Sequence, residues 1–281
     1  MTSVSIVVEI GHTSAAEPML AAAAFGNQPG RWPLPTATTP HQLWLRAVAA
    51  GGQGHYSSAY RDLAVLRRSV PAGRLASLAH STHGSFLRQL GWHSLARGWD
   101  GRALVLAGTD SEARADALIG LAADALGVGR LAAAATLLRR VGSALAPAQL
   151  PAQVADRLAV RRRWVAAELA MAVGDGATAV RHAREAVELA QVGRVVSVRH
   201  QVKSDVVLAA ALCSAATERA RVVAEAALAA TGRLGLIPLR WALACLLIDI
   251  GSVTFSEPEL SELRDVCADQ VRRAGGTWRT A

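Results

Sequence analysis

Tryptophan and arginine are the side chains of this sequence best suited to grip another molecule. Trp44, Trp92, Trp164 and Trp241 lie in apolar, helix-patterned stretches, and Arg88 and Arg161 stand just upstream of Trp92 and Trp164. An indole offers a large apolar face and a guanidinium a planar fork of donors, the usual pairing at binding hot spots. Arg199 and Lys203, one helical turn apart, would add positive charge on one face. Together these groups suit an acidic, partly apolar peptide. The competing reading is that the indoles fill the core, the commoner fate of tryptophan in a helical protein.

Other reactive side chains fall short of a site. His80 and His83 sit one turn apart, and His93 is near Asp100. Zinc needs three or four converging ligands, so capping or surface roles are expected for these histidines. Cys213, Cys245 and Cys267 are far apart and in apolar contexts. Their odd number and spacing point to reduced, buried small side chains rather than a disulfide or metal framework. No glycine-rich phosphate loop joins a strand to a helix, and no nucleophile elbow occurs. The expectation is therefore no enzyme and no cofactor. Residues 119–140, IGLAADALGVGRLAAAATLLRR, resemble a DNA-binding helix-turn-helix. The second helix, however, presents alanines where base-reading polar side chains are needed.

The elements that must position these residues are best read from Arg161–Ala190, RRRWVAAELAMAVGDGATAVRHAREAVELA. It has two apolar stripes at helical spacing, joined by the turn formers Gly174, Asp175 and Gly176. Ala167 and Ala179 flank Gly174, and the same spacing recurs at Ala47–Gly54–Ala59, Gly91–Gly98–Ala103 and Ala122–Gly129–Ala134. Leu208–Ala215–Ala220 keeps the spacing without glycine, and Ala244–Gly251–Ser256 is a weaker echo. This pattern resembles the tetratricopeptide-repeat family over residues 41–274, although the interval between units is irregular. The resemblance implies an all-α, right-handed superhelical stack of antiparallel helix hairpins. In such stacks the first helix of each hairpin lines the concave face. Alignment on the turn glycine places Trp44, Arg88, Trp92, Arg161, Trp164 and Trp241 towards that face.

Composition agrees with a packed helical chain: 52% of the 281 residues are hydrophobic and 4% aromatic. Residues 1–40 do not fit the pattern. SVSIVVEI could form a short strand and Glu17–Phe25 a short helix, before Pro29, Pro33, Pro35 and Pro40. They are read as a flexible tail preceding one repeat domain over 41–281. The charged last helix, carrying Glu262, Arg264, Asp265 and Asp269, suits a solubilising cap. No apolar run reaches the ~18 residues that would span a membrane, and a cytoplasmic location is expected. Lys203 is the sole lysine, a bias that points to a GC-rich, actinobacterial genome. The net charge of +8 favours acidic partners. A protein or peptide is the first expectation, and nucleic acid bound by a basic surface is the rival. The pattern says nothing of oligomeric state.

Overall fold

The computed structural model describes residues 15–145, 149–193 and 196–279. Thirteen α-helices and no strand occur among the described residues. The strand expected near the N-terminus lies outside them. The helices are α1 (Ala16–Phe25), α2 (Pro40–Gly52), α3 (Tyr56–Ser69), α4 (Arg74–Gln89), α5 (His93–Leu106), α6 (Ser111–Gly127) and α7 (Leu131–Leu145). They continue with α8 (Ala152–Ala172), α9 (Gly176–Val192), α10 (Val198–Leu212), α11 (Thr217–Leu234), α12 (Ile237–Ile250) and α13 (Glu257–Arg273).

From α2 onward consecutive helices pair as six hairpins, α2/α3 to α12/α13. Each first helix also packs on the next first helix, so α2, α4, α6, α8, α10 and α12 form a continuous inner series. Small residues permit the close approach: Ala59, Ala96, Ala134, Ala179 and Ala220, one on each of five second helices, are all fully buried. The pairing of α6 with α7 absorbs the helix-turn-helix resemblance. Ala134, Leu138 and Val141 of α7 are buried, while Ala132, Ala133 and Thr136 face outward.

The second hairpin corrects the expected register. Gly98 lies inside α5, and the turn falls at Gly91, whose φ is +87°. That left-handed conformation is cheap only for glycine. The Gly91 N–H bonds Arg88 O and the Trp92 N–H bonds Leu87 O, closing the end of α4. The repeated spacing is thus carried by Gly84–Gly91–Ala96. An exposed glycine within a helix costs only about 1 kcal/mol, so Gly98 does not end α5.

The segment read as a flexible tail is packed over its described part. Leu20, Ala23 and Ala24 of α1 are buried in one core with Trp44, Tyr56 and Leu63. Burying a leucine contributes roughly 1.5–3 kcal/mol, which favours docking over a solvated tail. Gln53 Nε2 donates to Pro29 O at 2.9 Å and Arg31 O at 3.0 Å, fixing the proline-rich link. Pro40 begins α2, capped by Thr39.

The far end is also more than a cap. Val271 of α13 is buried in that same first core, and Ser57 N–H bonds Ala274 O at 2.7 Å. Beyond α13, Arg279 N–H bonds Leu90 O at 2.9 Å. The last hairpin therefore meets the first two, and α1 also touches α10. The inner series of helices surrounds a central space.

Candidate functional site

The central space contains a cavity of about 340 Å³ with walls from every first helix. Of the eight residues singled out in the sequence, Trp44, Arg88, Arg161, Trp164, Arg199 and Lys203 line it. They come from α2, α4, α8 and α10. Val48, Ile119 and Leu239 supply aliphatic surface. A neighbouring cavity of about 590 Å³ lies against α1 and shares Phe25, Trp44, Arg157 and His200 as a common wall.

Trp92 and Trp241 do not join the cavity lining. Trp92 Nε1 donates to Thr277 O at 2.6 Å, and Trp241 stacks on Trp278 with ring centroids 4.1 Å apart. Both indoles hold the C-terminal segment, a long-range contact that a repeat alignment does not encode. Trp44 is 4% exposed and serves both core and cavity. Its Nε1 donates to Thr82 Oγ1 at 3.1 Å, while Trp164 Nε1 donates to Ser204 Oγ at 2.9 Å. With their N–H groups committed to the protein, these indoles offer ring surface to the cavity.

One side of the cavity is closed electrostatically. Arg88 Nη1 bonds Asp124 Oδ1 at 2.9 Å, and the same nitrogen bonds Asp100. Burial pushes the Asp100 carboxyl up to about 8, with Asp124 and Asp116 adding to the rise against the opposing Arg88. Burial likewise raises Asp124. Asp100 Oδ1 and Asp124 Oδ2 are buried without a hydrogen-bond partner. Burial favours a proton on Asp100, placed to hydrogen-bond the Asp124 carboxylate. Glycine makes room for this group: a Cβ on Gly120 would lie 2.5 Å from Asp100 Oδ1, and one on Gly84 2.7 Å from Oδ2.

The opposite side is rich in unanswered positive charge. Arg199 Nη1 and Nη2 donate to Val48 O and Ala24 O, each at 3.1 Å, without a carboxylate partner among the described residues. Burial lowers its guanidinium to about 10, helped by the charges of Arg161 and Arg157. Arg161 has one ion-pair contact, 3.2 Å to Asp116 Oδ1, and that oxygen accepts no hydrogen bond. Arg157 Nη2 bonds Glu112 Oε1 at 2.5 Å, but Glu112 is shared with Arg74 at 2.5 Å. The Arg157 guanidinium lies over Phe25, 4.5 Å from its centroid. Burial, followed by the charge of Arg199, holds His200 well below the ordinary imidazole range, so it is neutral. It stacks on Trp164 at 5.2 Å. Lys203 is partly answered by Glu168 at 3.7 Å.

Arg157, His200 and Phe25 were missed in the sequence. Arg157 lies one turn before Arg161 on α8, a signal obscured by the adjacent Arg161–Arg163 run. Asp116, Gly120 and Asp124 follow one another at single-turn spacing on α6, a pattern that marks a polar buried face. The histidines serve packing: His83 stacks on Trp99 at 3.7 Å, and His80 Nδ1 lies 2.8 Å from Ala76 O. The three cysteines are unpaired. No helix among the described residues is long and apolar enough to cross a membrane. No protein-family model matches the sequence, and no curated protein matches it.

Proposed function

We propose that this is a non-enzymatic binding protein of tetratricopeptide-like build, a right-handed hairpin stack curved until its ends meet. Its central cavity receives a short acidic, partly apolar segment of a partner protein or peptide. The observation that carries this reading is the convergence of Trp44, Arg88, Arg161, Trp164, Arg199 and Lys203 on one cavity.

Selection of a random peptide library on the immobilised chain tests this. Enriched peptides should combine Asp or Glu with aromatic or aliphatic residues, and Trp164→Ala should abolish the enrichment. Enrichment without acidic residues, or unaffected by Trp164→Ala, would sink the reading.

A second reading, nucleic-acid binding on the outside, is favoured by one feature. Arg61, Arg68, Arg97, Arg102, Arg139 and Arg140 are exposed on α3, α5 and α7. Over 41–145, every acid is buried except Asp110, which is half-buried. Binding to a DNA or RNA duplex that falls steeply with salt and ignores Trp164→Ala would support this outer surface instead.

A further inference from the structure

The guanidinium-rich side of the cavity indicates more than general acidity in the occupant. Arg157, Arg161 and Arg199 line it, and the carboxylates beside them are Asp116 and Glu112, the second shared with Arg74 of the neighbouring cavity. Arg199 is left without a carboxylate among the described residues and Arg157 with a shared one. Arg157 Nε has no hydrogen-bond partner although its side chain is only 9% exposed. Arg161 donates no hydrogen bond among the described residues, and its contact with Asp116 is misaligned. Buried charges and donors of this kind are costly unless a counter-group completes them.

The adjoining surface is aromatic. Phe25 lies 5.3 Å from Trp44, and Trp164 stacks on His200. The protein already places an oxygen and a ring here. Ala24 O, at the C-terminal end of α1, accepts from Arg199, and the Phe25 ring lies beneath Arg157. A helix end carries only partial negative charge, so it leaves most of the positive surplus in place.

We propose that Arg157, Arg161 and Arg199 form a site for a phosphate monoester dianion whose attached aromatic ring rests against Trp164 and Trp44. The proposal rests on the cavity being the binding site and specifies the anion it takes. A dianion answers both the unpaired Arg199 and the half-answered Arg157, whereas a single carboxylate answers only one of them. Forked guanidinium donors also fit the several acceptor oxygens of a phosphate group. The ring-bearing phosphate can belong to a nucleotide or to a phosphotyrosine side chain, which share this chemistry.

Calorimetric titration with phenyl phosphate and phenyl sulfate provides the test. The two have the same shape, but near pH 8 the first is a dianion and the second a monoanion. Phenyl phosphate is expected to bind at least about tenfold more tightly. Arg161→Met should erase that difference; because it also strands buried Asp116, it is made together with Asp116→Asn and compared with Asp116→Asn alone, and a retained cooperative melt verifies folding. Adenosine monophosphate and N-acetyl-phosphotyrosine amide then separate the two sources by which binds more tightly. Equal affinity for phosphate and sulfate, or a preference that survives Arg161→Met, overturns the dianion site. If neither aryl anion binds while library-selected acidic peptides do, the dianion site fails and the peptide reading survives. If neither kind of ligand binds, both fail.

Discussion

Arg88 and Arg199 are buried on first helices and line the same cavity, yet the protein answers them differently. Arg88 faces two carboxylates, Asp100 and Asp124, in a space left open by Gly84 and Gly120. Among the described residues, Arg199 donates only to the backbone carbonyls of Val48 and Ala24. A buried ion pair with both members satisfied is a fixed part of the fold, and breaking it strands a charge. A buried cation held by neutral oxygens keeps its charge unanswered. Under the proposed binding function, the α4–α6 side of the cavity serves structure and the α8–α10 side recognition.

The most severe way to break this comparison is Arg88→Leu. It would leave Asp100 and Asp124 buried without their cation and should cost about 3–5 kcal/mol, read from urea denaturation. A loss below about 1 kcal/mol would mean that the cluster is not structural. The pH profile sharpens the same point. Asp100 titrates at about 8 in the fold and near 3.9 in an unfolded chain. Between those values the fold holds a proton that the unfolded chain releases. Its contribution is complete below about 4 and is lost as pH rises to about 8, by at most about 1.4 kcal/mol per pH unit. Asp100→Asn should flatten that limb of the unfolding curve, and an unchanged slope would refute the retained proton.

Glycine substitutions separate crowded from open helix surface. Gly120→Ala would drive a methyl group to 2.5 Å from Asp100 Oδ1 and should destabilise by about 1–3 kcal/mol. Gly98→Ala meets nothing within 4 Å and should stabilise α5 by up to about 1 kcal/mol. Thermal melts of the pair settle the order, and similar effects would show that the Asp100 pocket is not tight. Arg199→Met has the smallest expected effect on folding. It loses two hydrogen bonds but removes an unpaired charge, so a net change below about 1 kcal/mol is expected, together with loss of ligand binding. A loss as large as that of Arg88→Leu would erase the distinction between the two sides.

Much of this organisation was legible in local pattern. Helical periodicity, turn glycines and second-helix alanines specified the hairpins, because a helix and its cap depend on residues within a few positions of each other. The second hairpin shows where that logic fails. Gly91 and Gly98 both offer a turn, and the one used, Gly91, sets Gly84 against Asp100 across the helix pair. The site was partly legible for a similar reason. Trp164 and Arg161 are distinctive in sequence, whereas Arg157 and His200 acquire their role through contacts with α1, α2 and α6.

The sequence by itself determined an all-helical chain of hairpins, the first-helix positions of Trp44, Arg88, Arg161 and Trp164, and the positive balance of its charge. Tertiary structure alone decided that Val271 enters the first core, that Trp92 and Trp241 hold the C-terminal segment, and that α1 reaches Arg199. It also decided which buried arginines find carboxylates. The Trp92–Thr277 hydrogen bond alone joins residues 185 positions apart. Burial and pairing across such separations are properties of the closed packing, and no local periodicity records them.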